Sequence, residues 1–185
     1  MLYLMIILKY MLGLLFFLTA IDKIINWSKH LTTIKMYSLI PSILNKPALI
    51  FFLLIESFIS VNFLLFTNNR IAALSLIILV FIYSTAVTLN LARKNTDFSC
   101  GCGSVLESEK LHWGLVLRNL IIILSGVIIF YGTISEQLPF TAKFSLIFIC
   151  GSTLLFFSIG KILLLLNKKR DQIMKTVKIF EEESA

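Results

Sequence analysis

Polar helix faces are what this sequence has least of. Charged residues make up 15% of the chain and hydrophobic residues 58%, with a mean hydropathy of +0.92. A soluble domain of this length would set polar faces against solvent around its core, and such faces are few here. Cysteine is sparse too. Three residues, an odd count, do not describe a disulfide-dense secreted scaffold. There is no internal repeat, no low-complexity tract and no sign of a second domain. The net charge of +7 could suggest nucleic acid. The basic residues instead flank apolar runs, which is the pattern of membrane orientation, so nucleic acid is not an expected partner.

What is present is a series of apolar runs near the length of a membrane span. A helix needs about 20 residues to cross about 30 Å of hydrocarbon. The spans are expected at about 4–26, 48–66, 71–92, 113–133 and 143–166. Together they form a single all-α integral-membrane domain over 1–167, followed by an exposed charged tail at 168–185 that ends on Glu181, Glu182 and Glu183. No basic segment precedes the first run and no clean cleavage site follows it, so it reads as a retained span rather than a signal peptide. Lys9 is expected to snorkel toward one interface. Trp27 to Lys46 reads as a connector holding a short interfacial helix before Pro41, with His30 exposed at the interface. Pro47 suits a helix start. Thr67 to Arg70 reads as a tight turn, and Ile134 to Thr141 as a short loop.

Five spans put the connector, the loop after the third span and the tail on one side of the bilayer. That side carries Lys23, Lys29, Lys35, Lys46, Arg93, Lys94, Lys110, Lys168, Lys169, Arg170, Lys175 and Lys178. The other carries Lys9, Arg70 and Lys143. Lys/Arg bias therefore predicts the N-terminus outside, with the C-terminus and the loop cytoplasmic. The expected location is a bacterial cytoplasmic (inner) membrane.

The chemistry gathers in that loop, Asp97-Phe98-Ser99-Cys100-Gly101-Cys102-Gly103. A bridge between Cys100 and Cys102 would close a small strained ring, and strain makes a disulfide easier to reduce. Gly101 and Gly103 allow the backbone angles such a ring, or a close partner, requires. Arg118, Arg93 and Lys94 raise the thiolate fraction by their charge, as would a helix starting near His112. The thiolate is both nucleophile and metal ligand, so these features do not separate thiol exchange from metal binding by Cys100, Cys102 and His112. Two cysteines in one loop can also be incidental. Cys150 reads as a small buried hydrophobe away from the loop. Glu56, a carboxylate inside a span, requires a partner, and Lys23 and Arg118 are the candidates. Trp27 and Trp113 read as interface anchors, while Arg118 could simply snorkel.

The residues from Leu4 to Tyr131 resemble the MauE family of redox-associated membrane proteins, related to the DoxX-like four-helix core. The likeness rests on Leu14-Leu15-Phe16 to Lys23, Pro41, Glu56, the thiol loop, Trp113 and Arg118-Asn119. The family pattern often reads Cys-Gly-Cys-Phe-Gly, where this chain has Cys-Gly-Cys-Gly-Ser, so its partner surface is expected to differ. The resemblance implies a four-helix core plus one C-terminal span, and a role in maturing exported proteins. It also implies a thioredoxin-like redox partner and an exported client, with Cys100 and Cys102 as the redox pair. Glu56, Arg118 and Asn119 match family positions. The resulting expectation is a thiol–disulfide oxidoreductase in which one cysteine attacks a partner disulfide and the other resolves it, with Arg118 favouring the thiolate. A quinone acceptor fits by analogy with other membrane thiol oxidases, though no residue set in the sequence demands it. A metal-binding or transport module, with Glu56 in a path between spans, and a non-catalytic scaffold or immunity-type protein are the alternatives.

Overall fold

The computed structural model describes residues 2–66, 70–103, 108, 110–132 and 144–156, with isolated helical positions beyond. The turn expected at 67–69, the loop expected at 134–141 and most of the fifth span and tail past Phe156 lie outside the described residues. Residues Met1–Gly151 form one compact unit and Ser152–Ala185 another.

All the described secondary structure is helical. Four helices are long and apolar enough to cross a membrane: α1 (Leu2–Ile25), α3 (Asn45–Leu65), α4 (Arg70–Ala92) and α5 (Trp113–Tyr131). A shorter apolar helix, α6 (Phe144–Phe156), follows them. The protein is a multi-pass membrane protein. The connector forms α2 (Trp27–Tyr37), which ends on Ser38 in a left-handed conformation, and then one 3-10 turn (Ser42–Leu44). That turn leads directly into α3, so the helix starts three residues before the expected span and Pro47 falls in its first turn, where a missing N–H costs little.

The long helices close a four-membered ring. α1 packs on α3 and α5, and α4 packs on α3 and α5. The centre is apolar: Leu12, Phe16, Ile59, Phe63, Leu76, Leu79 and Ile129 are buried together. In lipid such helices associate by close fit rather than by leaving water, so small residues at crossings matter. A Cβ on Gly126 of α5 would come within 2.8 Å of the Leu76 side chain on α4. Cys150 is buried with Ile6 and Tyr10 of α1, in keeping with a packing role. Lys9 departs from expectation. It is 1% exposed rather than snorkelling, with its ammonium 5.1 Å from the Tyr10 ring centre, because its position in α1 faces the bundle.

Candidate functional site: a buried thiol pair at one end of the bundle

The C-terminal end of α1, all of α2, the C-terminal end of α4 and the start of α5 meet at one end of the ring. The α4–α5 loop is tied down there. Asn90 of α4 donates to the Tyr37 carbonyl at 3.3 Å, and Asn95 donates to Asn90 Oδ1 at 3.1 Å and to the Met36 carbonyl at 3.3 Å. These bonds anchor the loop to the end of α2. Phe98 sets its ring edge-on to Tyr37, with centres 4.9 Å apart. Phe98, Cys100, Cys102, Leu111 and Leu115 then form a small apolar cluster with Val87.

The cysteines lie unbridged within that cluster, 5% and 7% exposed. The Cys102 amide donates to Cys100 Sγ at 3.4 Å, and the Tyr37 hydroxyl donates to the Cys100 carbonyl at 2.9 Å. Gly101 has a φ of 66°, and a Cβ there would lie 2.8 Å from Thr33 of α2. Both backbone angle and space require glycine. Gly103, with a φ of 80°, would bring a Cβ within 3.3 Å of Thr19 and Asp22 of α1. Thr33 also bonds Ser99 across 3.2 Å, so α2 covers the thiol turn directly.

Arg118 does not snorkel. Its Nη2 reaches Cys102 Sγ at 3.3 Å and Asn119 Oδ1 at 3.3 Å. Hydrogen bonding from the Cys102 thiol, helped by the Cys102 amide and the Arg118 charge, outweighs burial and lowers the Cys100 pKa to about 6. Cys102 moves the other way, well above the ordinary thiol range, because it gives that hydrogen bond and is buried beside the charge. The pair therefore accepts one negative charge readily and a second with difficulty. Burial and the neighbouring thiols raise the Tyr37 pKa and keep the phenol a donor.

Beneath the thiols lies a buried ion pair. Lys23 Nζ sits 2.6 and 2.7 Å from the two oxygens of Glu56, which is 1% exposed. Tyr83 donates to Glu56 Oε1 at 2.8 Å, and Thr19 reaches Oε2 at 3.4 Å. Of the two cations considered for Glu56, Lys23 is the partner. A small space of about 10 Å³ separates this group from the thiols, bounded by Thr19, Glu56, Tyr83, Cys102, Arg118 and Asn119. Asn119 is buried there, and its Nδ2 has no hydrogen-bond partner among the described residues. Phe16, Val80 and Ile122 complete its walls, so carbon faces most of a space of about one solvent-sized sphere.

Several positions differ from the sequence reading. His30 is 2% exposed rather than interfacial, because Asp22 holds its Nε2 at 2.8 Å across the α1–α2 bend. His112 is exposed just before α5, and among the described residues no group of three His, Cys, Asp or Glu side chains converges as metal ligands. Trp113 is 65% exposed at the start of α5, where an interface anchor belongs. Tyr83, Thr19 and the Asp22–His30 pair were not singled out from the sequence, and Tyr37, expected at an interface, bonds the thiol turn instead. Thr19 and Lys23 are four residues apart and so share a helix face, which was the available signal.

Fold and site together define a multi-pass helical membrane protein whose longest described loop is folded back into the bundle and carries a buried dithiol. The sequence pattern of the family described as methylamine utilisation protein MauE matches residues 1–132, and the chain belongs to the MauE family. It is similar to the methylamine utilization protein MauE of Paracoccus denitrificans, with 24% identity over 115 residues, 62% of this chain and 62% of that protein. The alignment thus spans less than two thirds of that relative. No solved structure matches the chain.

Proposed function

We propose that this protein is a membrane thiol–disulfide oxidoreductase that serves the maturation of exported proteins by exchanging electrons with a thioredoxin-like partner through Cys100 and Cys102. The observation that carries this reading is a buried one-turn cysteine pair with the Cys102 amide directed at Cys100 Sγ and the Arg118 guanidinium directed at Cys102 Sγ. That arrangement favours one thiolate and keeps the second thiol beside it, as attack and resolution require. In this reading the Cys100 thiolate attacks the partner's disulfide and forms a mixed disulfide. Cys102 then displaces the partner's sulfur, leaving the Cys100–Cys102 bridge and a reduced partner. Because both sulfurs are nearly buried, a protein partner reaches them only when the loop lifts from α2, so the Thr33–Ser99 and Tyr37–Cys100 bonds hold the site closed. Lys23, Glu56 and Asn119 support the floor of the site, Gly101 and Gly103 shape the turn, and Trp113 seats the start of α5 at the interface.

The methylamine pathway in the relative's name belongs to that relative. For this chain the client is proposed only as a class, an exported protein with disulfides. The Lys/Arg bias supports an inner-membrane location with the thiol loop on the cytoplasmic side.

The test is capture of the intermediate. In a Cys150→Ser background, the Cys102→Ser variant should accumulate a reducible adduct with a thioredoxin-like protein. The wild-type pair should release it, and the Cys100→Ser, Cys102→Ser double variant should form none. Client maturation that survives in the double variant would overturn the reading. A membrane-impermeant thiol reagent should label the pair only after permeabilisation, and labelling of intact spheroplasts would reverse the proposed sidedness.

A further inference from the structure

We infer that the cavity beside the thiol turn, bounded by Lys23, His30, Phe52, Tyr83, Cys100 and Cys102, receives the ring of a lipid-soluble quinone that accepts electrons from the pair. The inference rests on the redox reading above, with the thiol exchange run in its reverse direction so that a partner dithiol reduces the Cys100–Cys102 bridge, and adds the electron acceptor.

Access is the first argument. Little of either cysteine reaches the surface, yet the Cys100–Gly101–Cys102 turn forms one wall of a cavity of about 100 Å³. Leu39 and Ile40 of the connector also line it, and both are more than a third exposed just past the end of α2. The route to the sulfurs that needs no lifting of the loop therefore starts between exposed apolar side chains, which suits an occupant drawn from lipid.

The walls are the second argument. Lys23 and His30 turn their polar ends to Glu56 and Asp22, so the cavity is faced almost wholly by carbon and sulfur. A polar oxidant would lose its hydration there without compensation. An apolar ring would not. An apolar cavity of about 150 Å³ admits benzene. This one is smaller but open on one side, so a ring's substituents and tail need not fit within it.

Electron arithmetic is the third. Forming a disulfide from two thiols releases two electrons and two protons, and an occupant drawn from lipid must take both. A quinone does. The Cys100 thiolate adds to a ring carbon, forming a C–S bond while an electron pair moves onto the ring oxygens. Cys102 Sγ then attacks Cys100 Sγ. The S–S bond forms, the C–S bond breaks, and its electron pair stays with the ring. The Cys102 proton and one proton from solvent, replacing the one Cys100 released on becoming a thiolate, finish on the two ring oxygens, so dithiol and quinone become disulfide and quinol.

The experiment uses the full chain with Cys150→Ser, reduced and freed of reductant, in phospholipid nanodiscs without oxygen. Ubiquinone-1 is added, quinone absorbance is followed and both cysteines are alkylated afterwards. Loss of alkylation at Cys100 and Cys102 together, with an equal amount of quinol formed, supports the inference. Filling the cavity with Ala86→Phe should slow the step about tenfold or more, as overpacking a site does. A small soluble disulfide is offered in parallel as oxidant. If it oxidises the pair while ubiquinone-1 does not, the quinone inference is overturned and the redox reading stands. If neither oxidises the pair, the redox reading falls as well. Unchanged quinone kinetics in a folded Ala86→Phe protein would also overturn the site. Should that variant fail to fold, a photoreactive azidoquinone decides on the Cys150→Ser chain. Attachment near Phe52 or Ala86 supports the site, and attachment confined to lipid-facing positions such as Leu54 and Phe81 contradicts it.

Discussion

Where α4 leaves its first turns and α5 reaches its last, the two helices meet through Ala72, Ala73, Leu76 and Ile129, side chains without a polar atom. At the other end the same ring of helices buries Lys23, Glu56, Asn90 and Asn119. The first region is held by shape alone. Lipid tails are as apolar as leucine, so its stability comes from fit. The second is held by partners that must all be present, because a buried charge without its counter-charge is costly. The apolar end should therefore tolerate small changes of volume, and the thiol end should not tolerate loss of a single polar group.

The largest expected effect follows from breaking the Lys23–Glu56 pair. Glu56→Gln leaves the ammonium without its carboxylate and should cost about 3–5 kcal/mol, read as a lower denaturation midpoint in detergent. Replacing both residues with methionine should recover most of that loss. A double variant no better than the single one would break the comparison. At the apolar end, Gly126→Val pushes a side chain toward Leu76 and should cost about 1–3 kcal/mol by overpacking. The cost should fall on stability alone, with thiol reactivity preserved in the protein that folds.

Smaller effects sharpen the account of the thiol turn. Alanine at Gly101 takes on a left-handed backbone angle worth about 1–2 kcal/mol and meets Thr33. Its expected signature is faster alkylation of the cysteines as the turn loosens from α2. The lowered Cys100 pKa gives a pH signature whose sign is fixed. Above about 6 the thiolate dominates and alkylation of Cys100 runs at its plateau, and below that value protonation slows it. Arg118→Met removes a positive charge and should move this midpoint upward. An unmoved midpoint would detach Arg118 from the thiols. The smallest effect belongs to Lys110, whose bond to Asp97 lowers that carboxyl and raises the lysine but stands fully in solvent. Lys110→Ala should leave the denaturation midpoint where it was.

The legibility of these regions in the sequence differed for physical reasons. Span positions were readable because an apolar run of the right length has few other uses. The α1–α5 boundaries shifted by a few residues at most, the largest shift coming from the 3-10 turn that extends α3 backward. That Glu56 needs a partner was readable because a carboxylate within a span demands one, and its choice of Lys23 over Arg118 was not, since both were within plausible reach. His30 was misread for a related reason. Its partner Asp22 lies eight residues back across a bend, a spacing no single-helix periodicity exposes. Lys9 was misread because its place near a helix end suggested snorkelling, while its helix face pointed inward. Tyr83 stayed hidden because its partner Glu56 lies on another helix, a pairing no single-helix periodicity exposes. The folding of the α4–α5 loop back into the bundle was likewise invisible, since it depends on Asn90 and Asn95 binding the carbonyls at the end of α2.

The most direct test is a redox titration of the thiol pair in its native membrane, using the Cys150→Ser chain, thiol–disulfide buffers of graded potential and alkylation read by mass. The account predicts that Cys100 and Cys102 lose their labels together, in one two-electron step reversed by reductant. Labels that persist on both cysteines across the whole range, or that vanish independently, would contradict it.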